Sequence, residues 1–130
     1  MIEYDMEIKK LNQKFYNDYP ENQYPEILRN TNRCYNCIVL QTNYEYFICV
    51  PFRTNIKHSN CYHFSHSNRS ILHQSGLDYS KMIIIKDTGY FQDGIGIIDS
   101  DEYREMLQNI NVIISEIYDY INTYIEYKKE

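Results

Sequence analysis

Between Cys49 and His58 the chain reads Cys-Val-Pro-Phe-Arg-Thr-Asn-Ile-Lys-His. An apolar run reaches a proline, and a polar turn then collects Arg53, Thr54, Asn55, Lys57 and His58. Phosphodiester chemistry wants this set of groups. Arginine and lysine offset the charge that grows on a pentavalent phosphorus. A hydroxyl donates to a phosphate oxygen, and a histidine titrating near neutrality moves protons. RNA carries its own nucleophile, the 2′-hydroxyl, so such a turn needs no metal. The same residues also suit an ordinary polar turn that solvates its charges.

Two flanking segments can complete the set. Asn32 and Arg33 run into an apolar stretch, where Arg33 is either a second phosphate contact or a solvated loop arginine. Downstream, Gly76-Leu-Asp-Tyr-Ser-Lys81 can turn Asp78, Tyr79, Ser80 and Lys81 towards the same place. Read structurally, Gly76 allows a turn that Asp78 or Ser80 caps. Between them, Tyr62 and Phe64 are rings on which bases can stack, and His63, His66 and Arg69 add basic character.

Metal chemistry is the main competitor at these positions. Cys34 and Cys37 form a CxxC, and Cys61 and His63 are further possible zinc ligands. However, strand alternation turns Cys34 and Cys37 to opposite faces, and no second CxxC exists, so the cysteines read as small hydrophobes. The histidines read as a flexible basic loop rather than a transition-metal site. No cofactor is expected. Gly94-Ile-Gly96 lacks the spacing of a dinucleotide loop.

The net charge of −5 and the pI of about 5.3 argue against a nucleic-acid partner if taken as a sum. The distribution says otherwise: no acid occurs from Tyr46 to Leu77, a stretch holding Arg53, Lys57, Arg69 and all four histidines. With 130 residues, 43% hydrophobic, the chain suits a single folded domain over 1–130 rather than a disordered or linker-rich one. The N-terminus lacks a basic region followed by an apolar run, and no apolar stretch is long enough to span a membrane. Four cysteines without a leader suit reduced thiols in a cytoplasm.

The elements that must position these residues follow from pattern. Ile8, Leu11 and Phe15 lie on one face of a helix expected from Asp5 to Tyr19, which Pro20 stops; Pro25 opens a helical turn through Leu28. Tyr35 to Gln41 and Tyr44 to Val50 form a β-hairpin through Thr42 and Asn43, and Pro51 ends its ladder. Lys81 to Lys86 is a buried strand, and Gly94 to Ile98 a shorter one. A long C-terminal helix, capped by Asp99 or Ser100, carries a stripe of Tyr103, Leu107, Ile110, Ile114, Ile117, Ile121 and Tyr124, with Lys128 and Lys129 at its end. The class is α+β, a small antiparallel, barrel-like sheet flanked by helices.

Three segments in order resemble one family: Asn32-Arg-Cys-Tyr35 leading into Ile38-Val-Leu40, then Val50-Pro-Phe-Arg-Thr-Asn-Ile-Lys-His58, then Gly76-Leu-Asp-Tyr-Ser-Lys81 before an isoleucine-rich strand. Together they are similar to the ToxN/AbiQ toxins of type III toxin–antitoxin systems, most of all the TenpN branch. The resemblance runs from about Asn30 to the C-terminus. It implies a compact, strongly bent antiparallel sheet of the Kid/MazF type and a metal-independent endoribonuclease leaving 2′,3′-cyclic phosphate and 5′-hydroxyl ends. It implies an antitoxin that is a repeated, pseudoknotted RNA, processed by the toxin and held with it in closed toxin–RNA assemblies, and a role in abortive infection as antiviral defence. On matching positions, Thr54 takes the place of the family's turn hydroxyl, Lys57 of its lysine and Arg33 of the basic residue opening the first strand. Arg53 and His58 suit the TenpN branch, while Lys57 lies one position further along than in the ToxN branch. The competing readings are a non-catalytic RNA-binding module, a protein-interaction domain using the C-terminal helix, and a zinc-binding domain.

Overall fold

The computed structural model describes residues 5–29, 35–42, 45–94 and 96–129. Their elements in chain order are β1 (Asp5–Lys10), α1 (Gln13–Asp18), β2 (Asn36–Gln41), β3 (Phe47–Arg53), β4 (Cys61–His63), α2 (Asn68–His73), β5 (Gly76–Asp78), β6 (Ile83–Ile85), α3 (Ser100–Gln108) and α4 (Ile110–Lys129). Short 3₁₀ turns at Tyr79–Lys81 and Thr88–Tyr90 flank β6. The class is α+β. The six strands form an antiparallel sheet in the order β1-β2-β3-β5-β4, with β6 also on β3. This path is open: β1 and β4 are its two ends.

The sheet is covered on both faces. In β2, Ile38 and Leu40 face a core shared with Met106, Ile113 and Ile117 of the C-terminal helices, while Cys37 and Val39 face a second core with Leu11 and Phe15. β3 divides in the same way, Ile48, Val50 and Phe52 to one side and Cys49 to the other. Two buried faces explain why these strands read as unbroken apolar runs. The second core is rimmed by aromatic rings, with Phe15 edge-on to Tyr16 and Tyr90 and tilted against Tyr19. Arg29 of the following loop donates to the carbonyls of Tyr16, Tyr19 and Tyr24 and so ties that loop to α1.

Several sequence expectations change. The N-terminal helix is a strand and a shorter helix: β1 pairs with β2 from Asp5↔Gln41 to Lys10↔Asn36, and the Asn12 side chain caps α1 by accepting the Phe15 N–H. Ile8, Leu11 and Phe15 are all buried, but Ile8 lies in one core and the other two in the second, which no single helical stripe allows. The Pro25–Leu28 segment is a turn, not a helix. The hairpin is borne out, with β2 pairing β3 from Cys37↔Pro51 to Gln41↔Phe47. Its expected turn residue Asn43 lies outside the described residues, and Thr42 N–H donates to the Tyr46 carbonyl at 3.2 Å, so the connection is wider than two residues.

Pro51 does not end β3. On the side away from β2, β6 pairs residues 47–49 and β5 pairs 52–53, and Pro51, which has no N–H to donate, falls in the interval between them. The Lys81–Lys86 strand is confined to Ile83–Ile85 and is not buried throughout: Ile85 is buried, but Ile84 is exposed. The described part of the Gly94–Ile98 segment is not a strand; it runs beside β1, with Gly96 N–H donating to the Ile8 carbonyl. Asp99 caps the C-terminal helical region as expected, accepting from Asp101 and Glu102 N–H groups, but Asn109 divides that region into α3 and α4. The stripe holds in α4 from Ile110 to Ile121, with Ile114 and Ile117 buried, but not at Tyr124, which is exposed, and it fails in α3. There Tyr103 and Leu107 are exposed, and Glu102, Glu105 and Met106 face inward instead. The side chains of Lys128 and Lys129 lie outside the described ones. No helix among the described residues is long and apolar enough to cross a membrane.

Candidate phosphate-binding turn

The turn after β3 is fixed from below. Arg53 pairs with Gly76 in the β3–β5 ladder, Asn55 N–H donates to the His73 carbonyl at 2.6 Å, and Ile56 N–H donates to the Gln74 carbonyl at 3.3 Å. Asn55 holds a positive φ of 58°, a conformation asparagine tolerates better than most residues. Ile56 is buried and acts as the anchor, which leaves Thr54 half-buried and Asn55, Lys57 and His58 at the surface.

One carboxylate organises the side chains. Asp78 is fully buried at the end of β5. Its Oδ2 accepts from Arg53 Nη1 at 2.9 Å, and its Oδ1 accepts from the Ser80 hydroxyl at 2.6 Å and the Ser80 N–H at 3.0 Å. His58 Nε2 lies 3.2 Å from the same Oδ1 and 3.3 Å from Ser80 Oγ. Burial alone would raise the Asp78 pKa; hydrogen bonds from Ser80 and Arg53, with the charges of His58 and Arg53, outweigh it and hold the carboxyl below its ordinary value. Asp78 is therefore an anion buried among donors.

His58 has no free ring nitrogen. Its Nδ1 accepts the Asn60 N–H at 3.1 Å, so the proton of the neutral ring sits on Nε2, aimed at Asp78. Arg53 differs. One terminal nitrogen is tied to Asp78, its other donors make no hydrogen bond among the described residues, and its side chain is 28% exposed. Lys57 is exposed without an ion-pair partner among the described residues. The turn thus offers a half-shielded guanidinium, a hydroxyl and a free ammonium group, the donor set that holds a phosphate.

A second carboxylate holds the histidine-rich segment. That segment was expected as a flexible loop and is instead β4 and α2. Buried Glu105 of α3 accepts from the Tyr62 hydroxyl at 2.9 Å and from the N–H groups of Ser65 and His66, and lies 3.1 Å from His66 Nδ1. Its pKa is raised by burial and lowered further by these donors, ending below the ordinary value. Glu102 similarly accepts from the hydroxyls of Ser67 and Ser75.

β5 is squeezed between β3 and β4, and Gly76 lies opposite both Arg53 and His63. A Cβ there would fall on the Tyr62 carbonyl oxygen, so this glycine serves close strand approach rather than the turn expected from sequence.

Of the residues singled out in the sequence, Arg53, His58, Asp78 and Ser80 meet in one network, and Thr54, Asn55 and Lys57 share its turn. The others go elsewhere. Lys81 donates to the Glu26 carbonyl, and Tyr79 is buried with its hydroxyl on Glu116. Tyr62 is half-buried, edge-on to Phe64. His63 is exposed at the end of β4, and His66 projects into solvent beside Glu105. Asn32 and Arg33 lie outside the described residues, as does the side chain of Arg69.

For metal, Cys34 also lies outside the described residues, Cys37 and Cys49 are buried in the sheet, and Cys61 Sγ donates to the His58 carbonyl. No group of three or more potential ligands converges among the described residues. Sequence reasoning missed Glu105, Glu102 and the Asn60 N–H. The available signal was the three-residue step between the two glutamates, which aligns them with Met106 and Ile113 on the buried face. No protein-family model, curated protein or solved structure matches the chain.

Proposed function

We propose that this chain is a metal-independent endoribonuclease toxin whose reacting phosphate sits on the turn 53–58. We further propose that it belongs to the TenpN-like branch of the ToxN/AbiQ superfamily, acts in the cytoplasm and is restrained by a repeated small RNA in a closed toxin–RNA assembly. A strongly bent sheet of the Kid/MazF type, here with its strand path open, belongs to the same proposal. The observation that supports it is the single anchored turn that carries Arg53, Thr54 and Lys57 within five residues, with Asp78 fixing the Arg53 guanidinium.

In this reading the 2′-oxygen attacks phosphorus and the bond to the 5′-oxygen breaks. The 2′-hydroxyl proton is lost, the leaving oxygen gains one, and a 2′,3′-cyclic phosphate remains. Thr54 donates to the scissile phosphate or orients the 2′-hydroxyl. Arg53 and Lys57, with Arg33 as a further cation, stabilise the charge that accumulates on the equatorial oxygens. His58 positions Asp78 and Ser80. Proton transfer through His58 requires its ring to release Asn60 or Asp78 first. Asn32, Asn55, Tyr62, His63, His66, Arg69 and Lys81 are carried as contacts to flanking RNA, with Tyr62 and Lys81 the least available of them because their polar ends are already bonded.

The test is incubation of the purified chain with RNA in EDTA. Fragments with cyclic phosphate and 5′-hydroxyl ends support the nuclease. Intact RNA that still binds with a steep salt dependence supports the second reading, a non-catalytic RNA-binding module, which the engagement of both His58 nitrogens favours.

A further inference from the structure

Directly after the phosphate turn, a groove of about 480 Å³ opens between the start of β4 and α4, within the size range of small-ligand clefts. One wall is Asn60 and Cys61, both bonded to His58, Asn60 to its ring and Cys61 to its carbonyl. The other wall is a single face of α4 carrying Glu116, Asp119, Tyr120, Thr123 and Tyr124, at helical steps of three and one. Buried Tyr79 lies beneath, its hydroxyl donating to Glu116 Oε1 at 2.8 Å.

The lining selects a chemistry. It contains aromatic rings and two carboxylates but no lysine, arginine or histidine, so it repels phosphate and accepts N–H groups. Asp119 is exposed and makes no hydrogen bond or ion pair among the described residues, which leaves both its oxygens available. A flat heterocycle with two adjacent N–H donors satisfies both. Guanine presents its ring N1–H beside its exocyclic amine. Adenine and cytosine place a ring acceptor next to the amine, and uracil flanks its N–H with carbonyls. Stacking on tyrosine serves any base, so the carboxylate is what discriminates.

We propose that this groove is a guanine subsite, holding a base next to the phosphate on the turn; its role in choosing a cleavage position rests on the nuclease reading. The test is an NMR titration of the full chain with guanosine 5′-monophosphate against inosine 5′-monophosphate, which differs only in lacking the amine. The guanine nucleotide is expected to shift the amides of Asn60, Cys61 and Asp119 and to bind at least about fivefold more tightly than the inosine one. Asp119→Asn, at an exposed helix position that leaves folding intact, is expected to abolish that difference. Equal binding of the two nucleotides, shifts confined to other surfaces, or a preference that survives Asp119→Asn overturns the proposal. A chain that shows the preference but leaves RNA intact in EDTA keeps the subsite and loses the nuclease. A chain that cleaves RNA without groove shifts does the reverse.

Discussion

Arg53 on β3 and Asp78 on β5 meet at 2.9 Å across adjacent strands, the aspartate side chain fully buried and the arginine side chain 28% exposed. Asp78 makes Arg53 a rigid donor rather than a mobile surface cation, and it holds Ser80 and His58 at the same time. Asp78→Ala strands these donors. It is expected to cost about 3 kcal/mol in urea denaturation, the low end for a broken buried pair because Arg53 and His58 retain access to water. A loss within the scatter of ordinary surface substitutions would show that the network does not hold the turn.

Acid should weaken the fold through the same groups. Asp78 and Glu105 both have folded-state pKa values below their ordinary ones. The folded state therefore binds these protons less readily than the unfolded chain, and the stability is fully present above the unfolded pKa values. It is lost as the pH falls through about 4 and below. The melting temperature should drop steeply between about pH 5 and pH 3, and Asp78→Asn should flatten the drop. A melting temperature that holds or rises on acidification contradicts this.

Gly76→Ala forces a methyl onto the Tyr62 carbonyl oxygen. Backbone must move between β5 and β4, so the expected cost is about 3 kcal/mol, the upper range for overpacking, with β4 as the first element to lose amide protection in hydrogen exchange. Protection unchanged in β4 would show that β5 and β4 are not so tightly apposed.

His58 separates positioning from proton transfer. With Nδ1 on Asn60 and Nε2 on Asp78, His58→Asn should slow RNA cleavage by about tenfold, less than the loss of a general acid or base, and leave the pH–rate profile in place. Disappearance of one limb of the profile would restore His58 as the proton carrier.

How much of this was legible in the sequence varies by element. β2 and β3 announced themselves through Ile38, Val39, Leu40, Ile48 and Val50, because strands covered on both faces are apolar without interruption. β1 was hidden because Ile8, Leu11 and Phe15 have helical spacing, and only their division between two cores reveals the break at Asn12. Pro51 inside β3 depends on where two other strands stop, which is non-local information. The turn residues and Asp78 could be named from type and spacing. Glu105 left only its three-residue step from Glu102 as a signal, and that spacing gives no role by itself, because an acid facing the core is favourable only once the Ser65 and His66 N–H groups arrive beside it.

The most direct test compares RNA cleavage and RNA binding by the wild-type chain, Thr54→Ala and Lys57→Met in EDTA. Both variants lie at or near the surface and should fold normally. Cleavage by each is expected to fall by about 100-fold, the scale for one lost transition-state donor, while binding to a non-cleavable RNA weakens by no more than about threefold. Cleavage by Thr54→Ala and Lys57→Met at the wild-type rate would contradict the assignment of the phosphate to this turn.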